Sequence, residues 1–365
     1  AISTPENFLN FVGLNEEANI EQSLNKNTYE LMLCIHVIRG CVKRCKWPSD
    51  SDIAKKGNFV HPLSDSLKKI FYRNPAAQCI VPSLHQIFLL VRTLNALHDP
   101  AIQAKIHPSF LRALDISETD KYNILGTAYI DNLQRPKTII ERMNTFIHSA
   151  YDSCLHILGG AVENLSIDFY TVPSLSKLIM EGLFTNIQYM SDSRLRLLIR
   201  VFLRPFFLQC PALAYDEIMT VLSEFCPFML KRLSTRWEKF RLRYGTSEEQ
   251  FTEWQEILDD ELQRILTREY ISFLGDLLHS KYTSNNSVED AMDDDSKEYS
   301  NVPMKTISEL GQKIMTSENV RTVVICTAFD AMHWLDTSTN IKSVLLCELI
   351  FKKVNYLLSL HQWQN

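Results

Sequence analysis

Glycine is scarce in this sequence, with 10 among 365 residues, well below the roughly 7% that is usual in proteins. Loops that cradle phosphates, tight β-hairpins and doubly wound folds all need glycine where the backbone bends sharply. The sequence also has no Walker A, GxGxxG, GxSxG or HExxH motif. These absences argue against catalysis, so we predict that the chain is not an enzyme and uses no cofactor.

A long apolar run is also missing. The longest run, 197–208, is interrupted by Arg200 and Arg204, so we expect no segment to insert into a membrane. No signal peptide opens the chain, and its first residues already follow a helical pattern, which predicts an internal segment of a longer protein. Most of the nine cysteines lie inside apolar helical patterns, which indicates small buried thiols in a reducing compartment.

Helical periodicity runs along the whole chain. The clearest segment is 138–158, where apolar residues recur at steps of three and four and Gly159 and Gly160 are predicted to end the helix. In a later segment, Pro227 predicts a kink or a break. Helix pairs recur at roughly forty residues with short connections, as in HEAT-type repeats. We therefore predict an all-α fold, a HEAT-repeat-like α-solenoid of antiparallel helix pairs forming a single segment over 1–365.

Two stretches interrupt this pattern. Residues 48–75 form a long, poorly patterned insert, and residues 282–302 read as an acidic disordered loop. Six acidic residues against Lys297 give 285–300 a charge of −5, which equals the formal net charge of the whole chain. The remainder is therefore about neutral, and a basic face elsewhere is compatible with the overall charge.

Candidate metal and catalytic clusters each have a simpler interpretation. Residues 293–295 (Asp-Asp-Asp) resemble the metal-binding aspartates of helical terpene synthases, but they stand in a polar stretch without an apolar stripe. Residues 259–261 fit an exposed helix face. Cys41 and Cys45, with His36 nearby, lack the second ligand pair of a zinc site and are predicted to be buried thiols. We predict no catalytic residue and no metal site.

Rows of basic residues at helical spacing are the strongest functional signal. Such rows can follow a phosphate backbone, although each can equally be a solvated face with local ion pairs. Arg196 and Arg200 stand within an apolar run, where they are costly unless they are paired or face a polar channel, and are our first binding candidates. The rows are Arg39, Lys43, Arg44 and Lys46; Arg194, Arg196, Arg200 and Arg204; Arg232, Arg236, Lys239 and Arg243; and Arg264 with Arg268.

Seven segments, taken in chain order, carry a resemblance to a known family. They are 38–48 (IRGCVKRCKWP), 71–75 (FYRNP), 141–159, 168–172 (DFYTV), 194–211, 231–234 (KRLS) and 266–269 (LTRE). Together they resemble the importin-β (karyopherin) family, and within it the nuclear export receptors. The resemblance covers essentially the whole chain, and its specificity lies in the shared order of the segments.

The resemblance implies a HEAT-repeat export receptor without catalytic activity. Such a receptor binds RanGTP and structured RNA together in the nucleus, and its preferred cargo is a pre-microRNA-like hairpin with a double-stranded stem and a short 3′ overhang. The complex passes the nuclear pore through contacts with pore proteins, and GTP hydrolysis on Ran releases the cargo in the cytoplasm. The receptor therefore shuttles between the two compartments. The amino-terminal repeats, with which the family mainly grips Ran, are not part of the matching stretch.

The candidate RNA-binding residues combine both lines of reasoning. The alternative is a HEAT-repeat scaffold that binds protein partners without RNA, and it predicts that the basic rows are dispersed and do not converge on one surface. The candidates from the rows are Arg39, Lys43, Arg44, Arg194, Arg196, Arg200, Arg204, Arg232, Arg236 and Arg268, and the resembling segment 71–75 adds Arg73.

Overall fold

The computed structural model describes residues 4–16, 20–45, 74, 76–126, 137–244, 254–279 and 307–362. The predicted acidic loop, Arg73 and all of the predicted insert except Asn74 lie outside these residues. Within the described ranges the fold is all-α, with one isolated antiparallel bridge between His279 and Ile307 and no strand. The predicted fold class is therefore confirmed.

In the part of the chain that the structure describes, ten helices form two ranks. Successive helices alternate between the ranks, and each stacks on its counterpart in the next pair. Two further helices, α2 (Ile20–Asn25) and α10 (Glu309–Thr316), lie at the edges. The first rank contains α1 (Pro5–Val12), α4 (Ala77–Ala96), α6 (Leu175–Leu183), α8 (Tyr215–Tyr244) and α11 (Glu318–Ala331). The second rank contains α3 (Asn27–Arg44), α5 (Ile139–Leu165), α7 (Asp192–Leu208), α9 (Trp254–Leu278) and α12 (Thr337–Gln362).

Short helical turns connect several of these pairs. They are Pro100–Gln103, Pro108–Leu114, Glu118–Ile124, Ile167–Tyr170, Ile187–Tyr189 and Ala212–Ala214. Helix α4 has the length and mean hydropathy of a bilayer-crossing helix, but half of that window is buried inside the fold. Its apolar character is accounted for by packing against α1, α5 and α6.

Helix α5 begins as the sequence predicts and ends later than predicted. Thr138 and Glu141 form a reciprocal capping box at its start. The helix then continues through Gly159 and Gly160 to Leu165, so the prediction that the glycines end it is wrong. A Cβ atom at Gly159 would lie 2.1 Å from the carbonyl oxygen of Val201 on α7. The glycine therefore permits close approach of two helices rather than a helix end.

Helix α8 continues through Pro227, so the break that was one of the two outcomes predicted there does not occur. Proline removes the hydrogen bond to the carbonyl four residues earlier, that of Ser223. Pro227 lies on the exposed face, where water can satisfy that carbonyl, while Phe225, Cys226 and Met229 are buried around it. Packing of the buried face therefore holds the helix together across the proline.

Aromatic rings fill the space between the ranks. Phe202 lies 5.3 Å from Phe206, and Phe206 lies 5.0 Å from Phe207 on α7. Phe207 reaches Phe273 of α9 at 5.8 Å, and Phe273 reaches Phe225 of α8 at 6.4 Å. These contacts join three neighbouring helices into one core and fix the surface that α7 and α9 present on the second rank.

The cysteines are less buried than predicted. Cys154, Cys210, Cys226 and Cys347 are buried free thiols, in agreement with the prediction. Cys41 is exposed and Cys45 is partly exposed, so the prediction of buried thiols there is wrong. The reason is that Val42 and Ile35 form the buried face of α3, which places Cys41 on the solvent side.

Candidate nucleic-acid interface

Three second-rank helices form a large cationic cavity. Its volume is about 1090 Å³, and it lies between α3, α5 and the middle of α7. Helix α7 contains a π-helical segment, Ile199–Leu203, which is packed on Gly159 of α5. Since π-helical segments occur often at functional sites, this departure from regular geometry coincides with the residues of interest. The charged and imidazole side chains that line the cavity are Arg39, Lys43, Arg200, Arg204, His36, His156 and Glu163.

Arg39 is anchored within this cavity. Its Nη1 donates a hydrogen bond of 3.1 Å to Oγ of Ser153 and lies 3.8 Å from a carboxylate oxygen of Asp152. The same carboxylate lies 3.5 Å from Nε2 of His156. Contacts from α5 therefore hold Arg39, although its side chain stays 39% exposed.

Lys43, Arg44 and Arg200 have no ion pair with any of the described residues, and all three are exposed. Lys43 and Arg200 both line the large cavity, whereas Arg44 lies beside it near the end of α3. Their charges are therefore available to an anionic partner. Among the predicted residues, Lys43 and Arg200 are exposed, line the large cavity and have no ion pair within the described part of the chain.

A second, smaller cavity continues this surface along the rank. Its volume is about 310 Å³, and Arg204 lines both cavities. The smaller cavity also contains Lys342 of α12, whose Nζ donates a 2.8 Å hydrogen bond to Oγ of Ser272. The other charged side chains lining it are Arg196, Arg268 and Glu269. We refer to the two cavities together as the second-rank basic surface.

Carboxylates of α9 hold two arginines of the second-rank basic surface. Nη2 of Arg204 lies 2.8 Å from Glu269, and its Nη1 lies 3.1 Å from Asp276. Nε of Arg196 lies 3.8 Å from the other carboxylate oxygen of Glu269. The predicted row of three arginines is thus divided: Arg196 and Arg204 are paired, whereas Arg200 between them has no ion pair with a residue that the structure describes.

Arg268 of α9 forms an ion pair with Asp336, just before α12, and this ion pair links neighbouring helix pairs. It donates two hydrogen bonds to the carboxylate of Asp336, which is 7% exposed and also accepts from the backbone and hydroxyl of Thr339 at the start of α12. Burial alone would raise the pKa of Asp336, but the hydrogen bonds from Arg268 and Thr339 outweigh it and lower the pKa from 3.8 to about 2. Arg268 therefore has a structural task, whatever it binds at its 34% exposed surface.

The ion pair between Arg268 and Asp336 predicts a pH-dependent contribution to stability. We expect Asp336→Asn to lower the free energy of unfolding at neutral pH by on the order of 2 kcal/mol. Because the folded pKa lies below the unfolded one, the contribution is complete above about pH 4 and is lost as the pH falls toward 2. In urea unfolding, the difference in the free energy of unfolding between the wild type and Asp336→Asn should therefore be smaller at pH 3 than at pH 7. A difference of the same size at both pH values would contradict this role for Asp336.

Arg194 does not reach the second-rank basic surface. Its side chain is buried, stacks over the ring of Tyr151 at 4.6 Å and donates to the carbonyl of Leu94 at 3.1 Å. Burial lowers its pKa to about 10. Arg194 in the first turn of α7 therefore points into the core, where a phosphate in solvent cannot reach it.

Arg232 and Arg236 lie on the first rank, on α8. Nη2 of Arg232 lies 2.7 Å from the buried carboxylate of Asp192, and Nη2 of Arg236 lies 3.1 Å from its other oxygen. Arg232 also donates to the carbonyl of Met190. Both cations compensate one buried charge between helix pairs, so the structure does not bring them to the second-rank basic surface.

Three side chains of the second-rank basic surface, those of Lys342, His36 and His156, were not predicted from the sequence. Lys342 is not part of a basic row, so helical spacing gave no signal for it. His36 entered the predictions only as a neighbour of Cys41 and Cys45 in a zinc site, and His156 was not among the candidate residues. Within the described residues, no group of three or more His, Cys, Asp or Glu side chains could hold a metal ion.

The paired helices in two stacked ranks define a HEAT-type α-solenoid. The chain matches the family model described as Exportin-5 over residues 3–361. It is 32% identical to Exportin-5 of Homo sapiens and to that of Mus musculus, over 97% of this chain and 31% of each relative. It is 22% identical to Exportin-5 of Dictyostelium discoideum over 76% of this chain and 24% of that protein. The chain belongs to the Exportin-5 family, and it spans about a third of the length of these curated relatives.

Family membership agrees with the karyopherin resemblance of the seven segments and with the helical solenoid. The placement of the basic side chains on the second rank does not depend on this comparison, because it follows from the packing of this chain.

Proposed function

We propose that this chain is a segment of a nuclear export receptor and that its second-rank basic surface binds double-stranded or hairpin RNA cargo. The observation that carries the proposal is the convergence of Arg39, Lys43, Arg200 and Arg204, from two separate helices, on one cavity of about 1090 Å³. Family membership supports the export role. The receptor would shuttle between nucleus and cytoplasm and would hydrolyse nothing itself.

A-form RNA suits such a surface. Double-stranded RNA is recognised mostly through its shape, phosphates and 2′-hydroxyls, with little reading of base sequence. Exposed guanidinium and ammonium groups bind phosphates, and histidine, serine and asparagine side chains can reach hydroxyls. The large cavity offers Lys43 and Arg200, which have no ion pair with a described residue, and Asn164, His36 and His156 as polar neighbours. We infer a cargo of pre-microRNA type, with a stem and a 3′ overhang.

RanGTP and pore proteins are the further partners of the proposed receptor. The chain spans about a third of its relatives, and the karyopherin resemblance assigns the main grip on Ran to amino-terminal repeats. We therefore propose that this segment supplies cargo contacts, while Ran binding depends on the remainder of the polypeptide. Cooperation between Ran and cargo would then act through the solenoid as a whole.

A protein-binding scaffold is the second candidate, and one observation favours it. A cavity of about 210 Å³ on the first rank is lined by the stacked rings of Trp237 and Trp334, with the exposed Leu335 beside them. Both tryptophans are buried, whereas Leu335 is an exposed apolar side chain beside them, and an exposed apolar group suits a protein contact better than an RNA contact. This candidate would leave the second-rank basic surface without a role in cargo binding.

Binding of the full-length polypeptide to a short hairpin RNA distinguishes the two candidates. The hairpin carries a two-nucleotide 3′ overhang and is titrated with and without RanGTP across a salt series. The export-receptor proposal expects tight, Ran-dependent binding that weakens steeply with salt, because each neutralised phosphate releases counterions. Weak binding that is independent of Ran would favour the protein-binding scaffold.

A further inference from the structure

A carboxylate stands in the middle of the second-rank basic surface. Glu269 of α9 is 14% exposed and lies between Arg196 and Arg204 of α7, with one oxygen 2.8 Å from Nη2 of Arg204 and the other 3.8 Å from Nε of Arg196. A negative charge at a site for an anionic polymer is unfavourable by itself. Its position therefore calls for a compensating role.

That role follows from the arginines that Glu269 contacts. Arg196, Arg200 and Arg204 are successive residues of one helical row, and like charges at this spacing repel one another. The pKa of Arg196 is lowered by burial and further by the charge of Arg200, while Glu269 opposes both effects. A carboxylate shared between Arg196 and Arg204 offsets the repulsion and leaves Arg200 without a partner among the described residues.

Arg204 lines both cavities. Its two terminal nitrogens are held by Glu269 and Asp276, so the planar guanidinium is fixed in one plane. A donor that is fixed before binding loses less conformational entropy when a phosphate arrives. Fixed donors also favour the regular phosphate spacing of a duplex over the variable spacing of a single strand.

We propose that Glu269 is a positioning residue of the RNA surface: it orders Arg196 and Arg204 so that this row selects double-stranded RNA. The inference rests on the proposed function. It predicts the opposite sign from simple electrostatics, since removal of a nearby negative charge should otherwise strengthen RNA binding.

Glu163 provides the matched control. It lines the large cavity, is exposed, and has no ion pair with a described residue. Glu163→Gln and Glu269→Gln each remove one negative charge from the same surface. Only the second removes the carboxylate that Arg196 and Arg204 share.

The test measures affinity of the full-length polypeptide, with RanGTP, for the hairpin RNA and for a single strand of equal length. We expect Glu269→Gln to weaken hairpin binding about tenfold, the effect of losing roughly one well-placed charge-assisted hydrogen bond, and to reduce the preference for hairpin over single strand. We expect Glu163→Gln to strengthen binding of both RNAs modestly. In an Arg196→Gln/Arg204→Gln background, Glu269→Gln should no longer weaken binding.

A second variant, Glu269→Asp, keeps the test informative if Glu269→Gln does not fold. Glu269→Asp keeps the charge but shortens the side chain by one methylene group, so it should fold and show an intermediate loss of hairpin preference. If Glu269→Gln instead tightened binding as Glu163→Gln does, or Glu269→Asp left the hairpin preference intact, the positioning role would be overturned. Absence of RNA binding by the wild-type protein would overturn the proposed function itself, which separates the two failures.

Discussion

Replacement of Gly159 by alanine is expected to destabilise the fold by at least about 2 kcal/mol, even though alanine is the better helix former. A Cβ atom at this position would lie 2.1 Å from the carbonyl oxygen of Val201, which belongs to the backbone of α7 and cannot rotate away. Helices α5 and α7 would have to separate, and the π-helical segment that carries Arg200 would move with α7. Urea unfolding followed by circular dichroism measures the effect.

Gly40 provides the control for this substitution. It lies within α3, and a Cβ atom there would meet no atom within 4 Å. Gly40→Ala should therefore stabilise the protein by about 0.5–1 kcal/mol through helix propensity alone. Equal behaviour of the two variants would show that the close approach at Gly159 does not constrain the packing of α5 on α7.

Charge reversal of Arg200 is expected to weaken hairpin RNA binding by about tenfold or more and to reduce the salt slope by about one to two. Arg200 lines the large cavity, is exposed, and has no ion pair with a described residue, so Arg200→Glu places a negative charge where we propose a phosphate. Because no described internal partner is lost, the melting temperature should stay close to that of the wild type. Binding is measured with the full-length polypeptide and RanGTP.

Arg92 offers the matched control for this reversal. It is an exposed residue of α4 on the first rank, and it has no ion pair with a described residue. Arg92→Glu changes the net charge by the same amount, so a loss of affinity through overall charge would appear in both variants. If the two reversals weakened RNA binding equally, binding would not be localised to the second-rank basic surface.

The paired helices could be predicted from the sequence because the apolar stripes that form them are local. Met143, Ile147, Cys154 and Leu158 recur at helical spacing and are all buried in α5. The capping box at Thr138 is likewise a local signal, since its two partners are three residues apart. The ends of the helices were less predictable where glycine or proline had a partner distant in sequence, as at Gly159.

The basic rows show the opposite limit. Arg194, Arg196, Arg200 and Arg204 look equivalent in the sequence, since each is an arginine in one apolar stretch. In the structure Arg194 is buried against Tyr151, Arg196 and Arg204 share Glu269, and Arg200 has no ion pair among the residues described. Helical spacing predicts only the direction in which each side chain leaves the axis of α7, and it does not predict what lies in that direction. The π-helical segment also shifts these directions from those of a regular α-helix.

The sequence by itself determined the all-α repeat architecture and the membership of the Exportin-5 family, because amphipathic periodicity and colinear motifs are properties of the chain read in order. Tertiary structure alone decided which cations share a surface. Arg39 and Lys43 line one cavity with Arg200, although roughly 160 residues of sequence separate them. Arg232 and Arg236 of the first rank instead pair with Asp192 at the start of α7. The physical reason is that the partners of a charge come from stacking between neighbouring repeats, and no local pattern encodes that stacking.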